Sequence, residues 1–132
     1  MSVVVKRDQR RKWVVVRVTG ELTLAEILKL IHTARADIEY RMWPMLFDAR
    51  AATTAVTEQE IEQAVEVVRQ ATLKEGVRGA VAIVADDDQL YSRTLLYETR
   101  CAEIGVRLIR VFRQADDAMR WLEIMSAARH FG

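Results

Sequence analysis

Apolar residues along the chain fall into two rhythms: short β-branched runs, and longer stretches in which they recur every three or four positions. Residues 3–5 and 13–18 are runs of the first kind, separated by the polar segment 6–12, and predict two strands joined as a hairpin. Gly20 ends the second run. Thr23-Leu24-Ala25-Glu26 is a capping-box sequence, in which hydroxyl and carboxylate each satisfy an orphan amide at a helix start. Behind it Leu24, Ile27, Leu28, Ile31 and Ile38 keep helical spacing, so a first helix is expected to about Tyr40. Pro44 closes that segment and leads into a strand at 45–49.

A second capping box, Thr57-Glu58-Gln59-Glu60, opens a helix whose inner face is Ile61, Ala64, Val65, Val68 and Thr72, running out before Gly76. Residues 80–85 are unbroken apolar, the mark of a strand covered on both faces. Asp86-Asp87-Asp88 supplies an N-cap for a third helix to about Ala102, Gly105 precedes a strand at 106–112, and a last helix starts near Ala115. The order is ββαβαβαβα. It predicts an α/β fold, a mostly parallel sheet with helices packed on it and an antiparallel N-terminal hairpin.

Composition adds little to this picture and excludes several classes. The chain has 132 residues, is 51% hydrophobic and carries a net charge of +1, as expected of one domain spanning 1–132 with its own core. The charge balance implies neither nucleic acid nor an anionic membrane as partner. No apolar run approaches the roughly 20 residues of a membrane span. The apolar triplet at 3–5 is too short for a signal-peptide core, and Cys101 stands alone, so a cytoplasmic setting is expected.

The segment Val-Thr-Gly-Glu-Leu-Thr at 18–23 and the Leu-Phe-Asp strand end at 46–48 resemble the STAS domain, the fold of the SpoIIAA anti-sigma factor antagonists. The chain is similar more specifically to small bacterial SpoIIAA-like proteins. Asp48 with a following arginine, Val84-Ala85-Asp86 before Tyr91, and Val111-Phe112-Arg113 ahead of Ala118 and Trp121-Leu122 carry that likeness, over roughly residues 10–124. The resemblance implies a regulatory or protein-interaction module. Phospho-switched members keep an Asp-Ser-Ser-Gly-like motif after the third strand; counted from Asp48, its place here is Val56-Thr57-Glu58-Gln59. Only Thr57 retains a hydroxyl, and it doubles as a helix cap. A module without the usual phospho-switch is therefore expected. The alternative is a carrier or sensor of a small apolar ligand or lipid, since the fold resembles lipid-carrier architectures and the first helix has apolar residues to line a cavity.

Catalysis has few candidates. His32 flanks the first helix's apolar stripe, His130 is among the last three residues of the sequence, and Cys101 falls on the core side of the third helix. The triplet 86–88 has carboxylates but neither the glycine nor the later glutamate of an EF-hand loop. No phosphate-binding glycine loop, CxxC or HExxH occurs. No enzyme activity, cofactor or metal is expected.

Open α/β sheets bind ligands beyond the carboxyl ends of their strands, where strand order reverses. That edge is expected to collect Asp48, Arg50, Thr53 and Thr54 from one loop, Thr57 at the next helix start, and Asp86, Asp88 and Tyr91 from the following connection. Arg50 has two readings, an anion-binding fork or an ion pair with Asp48. For a protein partner or a homodimer, Leu96 is the expected centre of contact, placed by the helical wheel opposite the apolar arc with Arg93 and Arg100. Glu58, Glu62 and Glu66 form an acidic stripe, and Lys6, Arg7, Arg10, Arg11 and Lys12 a basic hairpin; solvated faces account for both.

Overall fold

Three parallel crossovers that all step the same way across a sheet must, being right-handed, leave their helices on one face. A computed structural model of the chain, which describes residues 1–131 and the side chains of 1–128, has this arrangement. Its elements are β1 (Ser2–Asp8), β2 (Trp13–Leu22), α1 (Leu24–Ala36), β3 (Met45–Thr54), α2 (Glu58–Glu75), β4 (Val81–Val84), α3 (Asp88–Glu103), β5 (Ile109–Phe112) and α4 (Ala115–Phe131). The sheet order is β1-β2-β3-β4-β5, with β1 antiparallel to β2 and the remaining pairs parallel. Helices α1, α2 and α3 cover one face over Val16, Leu22, Ile61, Val65 and Ile83; α4 covers the other, where Trp13, Val84, Ala118 and Leu122 are buried. The chain is α/β, as its pattern predicts.

Local chemistry sets the element ends. Thr57 accepts from the Glu60 amide at 3.1 Å while Glu60 Oε1 accepts from the Thr57 amide at 3.0 Å, a complete capping box. At 23–26 only the threonine half forms, with Glu26 N donating to Thr23 Oγ1 at 3.3 Å. Asp87 is the acid that caps α3, through Leu90 N at 3.0 Å.

Four expectations are corrected. Helix α1 stops at Ala36 rather than near Tyr40, because Asp37 is extended and its carboxylate accepts from Glu39 N at 3.1 Å, an Asx turn that competes with another helical turn. Ile38 is consequently solvent-exposed instead of facing the core. Gly20 does not end β2 but lies inside it at φ +87°, where a Cβ would sit 3.1 Å from the Met1 backbone. Its strand continues to Leu22 beyond a bulge between Arg17 and Thr19. Residues 50–54 are likewise strand, not loop, paired as Ala51–Thr19 through Thr54–Leu22. Finally, Leu96 is half-buried against the core and Leu95 is the exposed leucine. The wheel misplaced them because α2 packs alongside α3, so the flank bearing Arg93, Leu96 and Arg100 meets a helix rather than water.

Candidate functional site

The bulge leaves Asp48 and Ala49 both buried in succession, with Asp48 beside Leu46 on the α4 side of the sheet. There the Asp48 carboxylate accepts from Arg50 Nε and Nη2, each at 2.9 Å, and from the Arg50 amide at 3.2 Å. Arg17 Nε approaches it at 3.5 Å. The hydrogen bonds from Arg50 hold the Asp48 carboxyl below the ordinary carboxylate range despite its burial, and the same bonds push Arg50 up. The fork of Arg50 is therefore closed on Asp48.

The other residues expected at this edge separate into distinct contacts. Thr54 is buried, donates to Leu22 O at 2.7 Å and accepts from Val56 N at 3.2 Å, so its hydroxyl ties strand to strand. Thr53 is exposed and Thr57 is engaged as a cap. Asp86, Asp88 and Tyr91 are gathered by one residue, Arg113, which the sequence marks only through the family resemblance and not as a site residue. It donates to Asp86 O at 2.8 Å, pairs with Asp88 at 2.8 Å and stacks over the Tyr91 ring at 4.0 Å. Strand order runs 1 to 5 without reversing, so the crevice that a reversal opens at a sheet's carboxyl edge is absent from this topology.

The flank of α3 is also occupied internally. Arg93 donates to Val56 O at 2.9 Å and approaches Glu58 at 3.7 Å; Arg100 bridges Glu62 at 2.6 Å and Glu103 at 3.1 Å. Hydrogen bonds from Arg69, and then from Gln70, pull the Glu66 carboxyl pKa down to about 2. The acidic stripe of α2 is thus matched by arginines of its own chain. His32 is exposed, and the side chain of His130 lies outside the described residues. Among the described residues no three His, Cys, Asp or Glu side chains are grouped to hold a metal ion, and no helix is long and apolar enough to cross a membrane.

A deeper concavity lies elsewhere: a cavity of about 290 Å³ on the opposite face, between the sheet and helices α1, α2 and α3. Ile27, Ile31 and Ala34 of α1, Phe47 and Ile83 of the sheet, and Tyr97 of α3 contribute to its walls. It reaches the surface at the amino-terminal ends of β4 and β5, where Val77 is 53% and Leu108 45% exposed.

At this end the lining includes the exposed Arg107 and two more enclosed cations, Arg35 and Arg78. Arg35, buried, donates to Gly76 O at 2.9 Å and Thr72 Oγ1 at 3.1 Å, tying the end of α1 to the end of α2. Arg78 donates to Gly79 O at 3.0 Å and Trp43 O at 3.2 Å, while its buried Nε has no partner. Burial, with the nearby Arg35 charge adding to it, pulls the Arg78 guanidinium down to about 10. Burial lowers Arg35 as well. On the wall, burial drives the Tyr97 phenol upward and pushes the neighbouring Cys101 thiol to about 12.

Neither arginine was singled out in the sequence, though a signal existed. Arg35 continues the Ile27–Ile31 stripe at the next i+4 position, so it sits where a core residue is due. Arg78 carried no such mark; only Gly79 beside it pointed to a close backbone approach.

No protein-family profile and no curated protein sequence matches the chain. A solved structure does: an uncharacterised protein of the DUF3478 family with a SpoIIAA-like fold, from Shewanella loihica PV-4. The two are 21% identical, superpose with a TM-score of 0.51, and match over 92% of each chain. The chain has a SpoIIAA-like fold, in agreement with the resemblance carried by residues 10–124.

Proposed function

We propose that this chain works by binding rather than catalysis, as a carrier or sensor of a small apolar ligand held between the sheet and helices α1, α2 and α3. The observation that carries this reading is the cavity of about 290 Å³ with almost wholly apolar walls. Ligand sites are concavities of this kind, apolar with a few placed polar groups. A cavity of ~150 Å³ lined by aliphatic and aromatic side chains stays dry and admits benzene, so one about twice as large has room for roughly a dozen carbon atoms. The polar groups on the wall support binding over chemistry. Neither carboxylate nor histidine lines the cavity among the described residues, and the Tyr97 phenol and the Cys101 thiol are both held protonated. A general base is lacking there.

Titration with the small neutral fluorophore 1-naphthylamine, which fits a space of this size, tests this directly. One saturable site per chain is expected, abolished by Ala34→Phe, which fills the α1 wall. Absence of binding, or binding indifferent to that substitution, would sink the reading.

A protein-interaction role, the fold resemblance's own implication, is favoured by a different observation. Edge strand β1 exposes Val3, Val4 and Val5 by 38–46%. Unprotected apolar edges recruit further strands. Light scattering decides it: a dimer converted to monomer by Val4→Lys supports the role, and a monomer at all concentrations refutes the homodimer.

A further inference from the structure

Buried guanidinium groups are stable only when their charge and donors are matched, and those of Arg35 and Arg78 at this cavity are not. Arg35 and Arg78 hydrogen-bond only to neutral acceptors, namely three carbonyls and the Thr72 hydroxyl. Among the described residues neither takes part in a salt bridge. The nearest acidic influence on Arg35 is Glu75, itself solvent-exposed, and it is opposed by Arg41. Among the described residues the buried side-chain polar atoms left without a partner are Nε of Arg78 and Nε of Arg41, both in this region of the molecule. An orphaned buried donor in a folded protein calls for an acceptor, and here positive charge accumulates beside the donors. Interior ion pairs elsewhere in the chain are closed by its own carboxylates, as Arg50 is by Asp48. At the cavity the chain supplies cations without the matching anion.

Resting on the cavity reading above, we infer that the ligand is an amphipathic anion. It is a medium-chain carboxylate whose hydrocarbon tail lies among Ile27, Ile31, Phe47 and Ile83 and whose head is bound by Arg35 and Arg78. The guanidinium fork matches a carboxylate in geometry, and the desolvated site strengthens each charge-assisted bond. The protonated Tyr97 phenol, electrostatically coupled to both arginines, adds a neutral polar group nearby without adding repulsion. Position agrees with this. The arginines sit where the cavity opens beside Val77 and Leu108, so the head stays near the mouth while the tail fills the interior.

The test compares two probes of equal tail length, decanoate and 1-decanol, each displacing 1-naphthylamine from the whole chain at neutral pH. The expected result is decanoate binding at least roughly tenfold tighter than decanol, as hydrogen bonds to a charged group confer. Arg78→Met is expected to bring decanoate down to the decanol level, with near-ultraviolet circular dichroism reporting whether the variant is folded. Should it not fold, the wild-type comparison alone decides. Equal affinity of acid and alcohol overturns the anionic head while leaving the apolar cavity standing. Failure of the fluorophore itself to bind overturns both.

Discussion

Arg50 closes its guanidinium on both carboxylate oxygens of Asp48, two residues back along the same strand, at 2.9 Å on each side. This pair neutralises the carboxyl edge of the sheet internally and leaves the uncompensated cations on the other face, at the cavity. Its consequence for stability has a definite sign. Asp48 is depressed in the folded state, so its contribution is fully present above the unfolded carboxyl value near 3.9 and is lost as pH falls through the folded value. Asp48→Asn is expected to cost about 1–3 kcal/mol at pH 7. Melting curves from pH 7 down to pH 2 should show wild type and variant converging in acid; a constant gap would contradict the assignment.

Thr57 and Thr53 offer a second contrast. Thr57 completes a capping box, whereas Thr53 is exposed. Thr57→Ala is expected to lose about 1 kcal/mol and Thr53→Ala almost nothing in urea unfolding. Equal losses would mean that the hydroxyl of Thr57 does not hold the start of α2.

Gly79 occupies a place no other residue fits. A Cβ there would collide with the Met42 carbonyl and lie 2.9 Å from Trp43 O, the acceptor that also receives Arg78. Gly79→Ala is expected to destabilise the fold by roughly 1–3 kcal/mol. Because the collision pushes on the 41–43 turn, it should also weaken ligand binding at the mouth. Gly76→Ala, with open space around its Cβ but a backbone at φ +85°, ψ −174° that is essentially glycine's alone, gives the comparison: roughly 1–3 kcal/mol from backbone strain without collision. Thermal denaturation gives the cost of each, and loss of fluorophore binding in the Gly79 variant beyond that in the Gly76 variant distinguishes collision from strain.

Cys101 is fully buried, and its thiol is pushed up to about 12. A thiol reagent at pH 8 should leave the native protein essentially unlabelled and modify it at once in guanidinium chloride. Rapid native labelling would show the α3 wall to be open to solvent.

The element order was readable because α1, α2 and α3 announce themselves by capping chemistry and the strands by short apolar runs. Thr23, Thr57 and the 86–88 triplet all stand at helix starts. Lengths were less readable. Ala51, Ala52, Thr53 and Thr54 are small or polar and carry no strand periodicity, yet pairing with β2 makes them strand. Ile38 keeps helical spacing but follows Asp37, whose side chain competes for the backbone. Leu95 and Leu96 exchange places because a helical wheel cannot know that a second helix lies alongside. The cavity was hidden for a deeper reason. Ile27, Ile31 and Phe47 look the same in sequence whether they fill a core or line a void, since periodicity records which face is covered and not how completely. Arg35 looked like a surface arginine at the end of a helix until its carbonyl and threonine partners placed it inside.

The most direct measurement is a methyl-resolved NMR titration of Ile, Leu and Val-labelled protein with decanoate. Saturable shifts confined to cavity methyls, those of Ile27, Leu30, Ile31 and Ile83, with Val3, Val4, Val5 and Ile124 unmoved, are the predicted result. Shifts spread over those exposed methyls, with the cavity set unchanged, would contradict the account.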